Sequence, residues 1–179
     1  MTQKTSFNIA PRSVEDVNVK TIGKKAFTGK KIKPSPSVSY GVRKLKRGAD
    51  YTVSYSKNKA VGTAKLTIRG TGNYTGTKSV TFPIVPKAPS GLRVNKTGGK
   101  TATLRWKKVK GATGYVLYRS NKKNGRYKKI KMLKKGKLIS YRNKLPKSGK
   151  KFYFYVQSVR KIKGKTYVSK KSRIVSIRY

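Results

Sequence analysis

From Thr63 to Gly70 the chain reads TAKLTIRG, with Ala64, Leu66 and Ile68 on one side and Lys65, Thr67 and Arg69 on the other. A period of two is the pattern of a half-buried β-strand. The pattern recurs along the chain. In the first half the runs are Val17–Lys20, Ser37–Leu45, Asp50–Asn58, Gly62–Gly70 and Gly76–Val85. Later, Ala102, Leu104 and Trp106 alternate with Thr103, Arg105 and Lys107, and Tyr115 and Leu117 extend the apolar set. Phe152, Phe154, Val156 and Ser158 then form one face, with Tyr153, Tyr155 and Gln157 opposite. GTGNYTG, NKKNGR and Lys163-Gly164-Lys165 punctuate the runs as turns. No stretch carries a helical period. Short alternating strands with closely spaced turns predict an all-β sandwich or barrel. The segment PIVPKAPSGL, Pro83 to Leu92, ends one unit and stiffens the link to the next. The expected organisation is two small all-β units in tandem, 1–86 and 87–179, with the first 10–15 residues loosely held.

The charge is the second constraint. Thirty-six Lys and 12 Arg face only Glu15, Asp16 and Asp50, a net charge of +45. Such a field opposes compaction and attracts polyanions. Leu, Ile, Val and Phe number 39 of 179 residues, just above the ~20% level below which a charged chain stays disordered. With twelve Tyr and one Trp besides, the chain is expected to fold. Residues 1–86 hold 17 basic and 3 acidic side chains, net +14; residues 87–179 hold 31 basic and none acidic.

The residue inventory argues against catalysis. There is no His and no Cys, so proton shuttles, thiol nucleophiles and the usual zinc ligands are missing. Glu15 and Asp16 are neighbours and would point to opposite faces of a strand. Asp50 opens DYTVSY and is read as a turn cap. No pair of acids suited to acid–base work emerges, and no cofactor is expected. GTGNYTG lacks the Gly-Lys-Ser/Thr ending of a phosphate loop. No apolar run approaches the ~20 residues of a membrane span, and MTQKTSFNIAP lacks the apolar core of a signal peptide.

PSGLRV, TATLRW, GATGYVLYRS and LPKSGKKFYFYVQSV occur in that order in the second half. Over nearly its whole length this half resembles a fibronectin type III domain. That family usually carries Tyr where Phe152 stands; Phe keeps the ring and loses a hydroxyl hydrogen bond worth about 0.5–1.5 kcal/mol. No Arg-Gly-Asp triplet occurs, so integrin binding has no support. FTGKKIKPSPSV, LKRGADYTVSYSKNKAVGTAKLTIRGTGNYTGT and VTFPIV resemble a bacterial Ig-like repeat across about residues 17–86. The two resemblances imply two small antiparallel β-sandwiches in tandem, Ig-like then type III, in a fragment of a longer Gram-positive surface or secreted protein, extracellular or cell-wall associated. Ig-like modules of such surfaces sometimes carry a Lys–Asn isopeptide cross-link promoted by a buried acid, for which Asp50 or Glu15 is the candidate. The chain is expected to be monomeric.

The resemblance also implies that Val116 and Tyr118 lie outward beside Tyr153 and Tyr155. Tyr118, Tyr153 and Tyr155 are therefore candidate stacking residues among cations, a combination that binds nucleic acid with little sequence preference. The candidate polyanion-binding residues are Lys122, Lys123, Arg126, Lys128, Lys129, Lys131, Lys134 and Lys135, and, further on, Lys150, Lys151, Arg160, Lys161, Lys163, Lys170 and Lys171. Lys outnumbers Arg three to one, which favours diffuse attraction over the bidentate recognition that Arg provides. The expected partners are anionic polymers: teichoic acid, sulfated or sialylated glycans, nucleic acid, or an anionic membrane surface. No small-molecule substrate is expected. Two other readings stay open: a natural or artificial supercharged protein that binds nucleic acid or membranes, and a spacer of a secreted enzyme.

Overall fold

The computed structural model describes residues 10–146 and 150–178. The chain divides into two compact units. One groups the residues up to Gly23 with Lys31–Asn58 and Thr63–Phe82; the other groups Lys24–Lys30, Lys59–Gly62 and the chain from Pro83 onward. Strands dominate both, and no α-helix occurs among the described residues. None is therefore long and apolar enough to cross a membrane, which says nothing of crossing by strands.

The first unit opens with β1 (Arg12–Ser13) and one 3-10 turn, Val14–Asp16. Ser13 caps that turn, its Oγ accepting the Glu15 N–H at 3.1 Å. Glu15 and Asp16 thus sit in a turn and not on a strand. Nor is the whole N-terminal stretch loose: Arg12 and Ser13 pair with Tyr74 and Thr75, and Val14 is fully buried. Residues 1–9, the rest of that expectation, lie outside the described residues. After β2 (Asn18–Val19) the chain passes through β3 (Lys25–Ala26), which groups with the second unit, and returns as β4 (Val38–Tyr40) and β5 (Arg43–Lys44). The run Ser37–Leu45 is therefore a hairpin and not one strand. It turns at Gly41, whose φ of 54° a residue with a Cβ adopts only under strain.

The unit's longer strands are β6 (Tyr51–Ser56), β7 (Gly62–Gly70) and β9 (Thr77–Val85), with the short β8 (Tyr74–Thr75) between the last two. Strand β7 lies between β6 and β9. Ala64, Leu66 and Ile68 are fully buried while Lys65 and Arg69 are exposed, as the alternation requires. Asp50 caps a turn, its carboxylate accepting the Lys46 N–H at 2.7 Å. Buried Asn58 donates to the Ile32 carbonyl at 3.0 Å. Glu15, in contrast, is exposed, without the burial an isopeptide-promoting acid needs.

The second unit is a sandwich. One sheet holds β10 (Arg93–Lys96), β11 (Thr101–Arg105) and β14 (Ser140–Lys144). The other places β12 (Gly114–Ser120) between β13 (Lys128–Leu133) and β15 (Lys151–Ile162), with β16 (Lys165–Val168) and β17 (Val175–Arg178) both on the far side of β15. Leu92, Ala102, Leu104, Trp106, Tyr115, Leu117, Phe152, Phe154 and Val156 share one core. Burying each large apolar side chain contributes about 1.5–3 kcal/mol. Trp106 meets Tyr115 edge-on, with centroids 5.2 Å apart. In the same unit β3 pairs in parallel with the end of β9, Lys25 opposite Ile84.

Candidate functional site

The candidate cations all belong to the five-stranded sheet of the second unit or its loops, and the fold sorts them into groups. The turn between β12 and β13 carries Lys122, Lys123 and Arg126, and β13 adds Lys128, Lys129 and Lys131. Ser120 pairs with Tyr153, so this turn lies at the same end of the sheet as Lys150 and Lys151 at the start of β15. Lys151 in turn faces Arg178 across the strand pair. Lys134 and Lys135 follow β13 at the opposite end. There Lys134 and Lys161 line one hollow, and Lys163 stands on the adjoining turn. Strand β15 runs 12 residues between these ends, a span of about 36 Å at ~3.3 Å per residue.

All of these side chains are exposed except Arg160. Its guanidinium donates to the Gly111 carbonyl at 2.9 Å. Arg160 ties a loop to the sheet, and its half-buried head is not part of the open cationic surface.

Lys170 and Lys171 owe their display to a bulge. Val159 pairs with Val168 and Phe154 with Val175, so five steps along β15 match seven along the returning chain. The surplus lies between β16 and β17. Ser169 and Ser172 hold it there: their hydroxyls accept the Ser158 and Val156 N–H groups, each at 3.0 Å. Their own N–H groups donate to the Ser158 and Val156 carbonyls. Two serines thus satisfy the part of β15 that has no paired strand, and the two lysines between them are pushed out to solvent.

The tyrosines are on the outer face, but they are not the open platform that the sequence suggests. Tyr118 stacks on Tyr155 with centroids 4.6 Å apart and planes 20° apart. Tyr127 leans on the same ring from the turn at 4.9 Å, and Lys171 Nζ lies 5.0 Å from its centroid. Tyr155 is left only 6% exposed. Burial, with Tyr118 and Tyr127 adding to it, pushes its phenol above the ordinary value. Its faces are occupied by partners within the chain, so Tyr155 cannot also stack on a nucleobase. Tyr118 and Tyr153 are half-buried, and Lys151 Nζ sits 5.6 Å from the Tyr153 centroid. Tyr127 was missed because it follows a turn outside any alternating run.

Arg119 was also missed. Strand alternation puts it on the core side with Tyr115 and Leu117. At the sandwich's end it is only half-buried, with its guanidinium 5.5 Å from the Phe152 centroid. The three acids, Glu15, Asp16 and Asp50, lie in the first unit. Among the described residues no group of three or more His, Cys, Asp or Glu could hold a metal ion.

No family model and no curated protein matches the chain. Solved structures do. An Fn3-like protein from Clostridium thermocellum is 29% identical, with a TM-score of 0.40, across 50% of this chain and 91% of that one. A myokine structure is 20% identical, with a TM-score of 0.43, across 52% of this chain and 96% of its own. A human fibronectin type III domain is 14% identical, with a TM-score of 0.41, across 51% of this chain and 72% of that one.

Proposed function

We propose that this chain is a non-enzymatic cationic module that binds anionic polymers, mainly by diffuse electrostatics. One observation carries the reading: residues 87–179 hold 31 basic side chains and no acid. A folded sandwich needs outward polar residues, but it does not need them all to be cationic. The absence of acids is therefore a property of the surface and not a requirement of the fold. The resemblance of the first half to a bacterial Ig-like repeat and of the second to a type III module supports placement on or outside a Gram-positive cell. Teichoic acid, sulfated or sialylated glycans and extracellular DNA are the polymers of the right charge there. The predominance of Lys supports attraction to charge density more than to sequence.

Salt titration of binding to duplex DNA, heparin and purified teichoic acid tests this. If six to ten phosphates are engaged, affinity for DNA falls about 10³–10⁵-fold between 50 and 200 mM salt, and heparin and teichoic acid show similarly steep slopes. No detectable binding to any of the three at low salt would end the proposal.

A further inference from the structure

We propose that the open end of the second unit's sandwich, around Arg119, is a subsite for one tetrahedral oxyanion, a phosphate or sulfate group carried on the bound polymer. This rests on the polyanion reading and gives it a defined anchor.

Most cations of this sheet stand out in water. Arg119 does not. Its guanidinium packs over the Phe152 ring and donates Nη1–H to the Lys144 carbonyl at 3.2 Å. An arginine has five N–H donors, and among the described residues that is the single hydrogen bond of this guanidinium. Burial lowers its pKa, with the nearby Tyr141 phenol partly opposing the shift, as for a cation partly stripped of water. The unit has no carboxylate side chain to supply one.

The surroundings add positive charge. Lys128 is directly opposite Arg119 in the β12–β13 pair, and like charges in that relation are destabilising. Arg119, Lys128 and Arg126 line one depression of about 230 Å³ with Ser120, Asn121 and Phe152. That is several times the ~30 Å³ of a water molecule, room for one tetrahedral group and its remaining hydration. Cations approaching from two strands and a turn need acceptor oxygens in more than one plane. A phosphate or sulfate group has them, whereas a carboxylate offers two oxygens in a single plane. Two of the three cations are arginines, in a chain where Lys predominates, and the guanidinium fork matches oxyanion geometry. A bound oxyanion would both satisfy Arg119 and relieve its repulsion with Lys128.

The test is an NMR titration of the full chain with sodium phosphate, and separately sodium sulfate, against chloride at constant ionic strength. The expected result is a saturable shift of the Arg119 side-chain Nε–H and of the amides from Ser120 to Lys128. Arg119→Lys keeps the charge, loses the fork and weakens that binding about fivefold or more. Arg126→Gln, on an exposed turn, does the same even if the Arg119 variant unfolds. Lys65→Gln, on the exposed face of β7 in the first unit, leaves it unchanged. Short DNA and a sulfated oligosaccharide are then added as competitors; displacement by either supports the subsite and tells which polymer carries the group. Shifts spread evenly over the chain without saturation, or unchanged binding in the Arg126 variant, overturn it. So does a failure of both polymers to compete while both still bind. In those cases diffuse polyanion binding survives; loss of all polymer binding at low salt removes the broader reading instead.

Discussion

At the scale of single residues, several side chains do work that their residue type alone does not disclose. Tyr115 is fully buried, yet its hydroxyl accepts the Val109 N–H at 3.0 Å and donates to the Gly136 carbonyl at 3.4 Å. The sequence places Tyr115 in the core by alternation but gives no reason to prefer it to Phe. Tyr115→Phe strands the Val109 N–H and should destabilise the unit by about 1–3 kcal/mol. Trp106 is the only tryptophan and lies in this core, so its fluorescence during urea unfolding reports the change. An unchanged urea midpoint would show that water replaces the hydroxyl. Lys78 makes a similar point. Its ammonium group donates to the Glu15 and Val17 carbonyls at 2.7 and 2.6 Å, so one cation of the +45 is occupied within the fold.

At the scale of elements, the hairpin from β15 to β16 shows both a conflict and its remedy. Ile162 pairs with Lys165, and the two residues between them, Lys163 and Gly164, have φ of 45° and 79°. Positive φ at both positions matches a type I′ turn, which Asn-Gly fits best. Lys163 is thus a strained residue at the tip. Lys163→Asn should stabilise the second unit by about 0.5–1 kcal/mol, measured by the same denaturation; a loss of stability would mean that the lysine makes a compensating contact.

The strands at this scale were readable because each burial face repeats every second residue, and Ala64, Leu66, Ile68, Phe152, Phe154 and Val156 all obey it. Three features were not readable, each for a physical reason. Gly41 breaks the run Ser37–Leu45 through a backbone angle, with no break in polarity. The bulge at Lys170 and Lys171 depends on hydroxyl-to-backbone bonds from Ser169 and Ser172. The covering of Tyr155 needs Tyr127 from one turn and Lys171 from that bulge, partners that the local sequence does not reveal.

At the scale of the molecule, the charge opposes the folds that carry it. Repulsion among exposed lysines acts over a Debye length, about 10 Å at 0.1 M salt and 3 Å at 1 M. Salt should therefore stabilise this protein. Relief of 1 kcal/mol in a domain of this size raises Tm by about 4–8 °C. Thermal unfolding followed by circular dichroism should show Tm rising from about 0.02 to 0.5 M sodium chloride; a flat or falling Tm would mean the fold already disperses its charge at no cost. The sum of charge was plain in the sequence. Its arrangement was not, because Lys122 to Lys135 read as one cluster until β13 carries the two halves of it to opposite ends of a sheet.

Under the proposed polyanion binding, that separation would turn the surface into a gauge of length. An oligomer shorter than the β15 strand would reach the cations at one end or the other and be held once. A polymer that spans about 36 Å, about eleven nucleotides of a DNA strand at ~3.4 Å each, could touch both ends at once. Its second contact then forms at the high local concentration set by the first. Chain length, independent of chemical identity, would then be something that two separated groups of cations can tell apart.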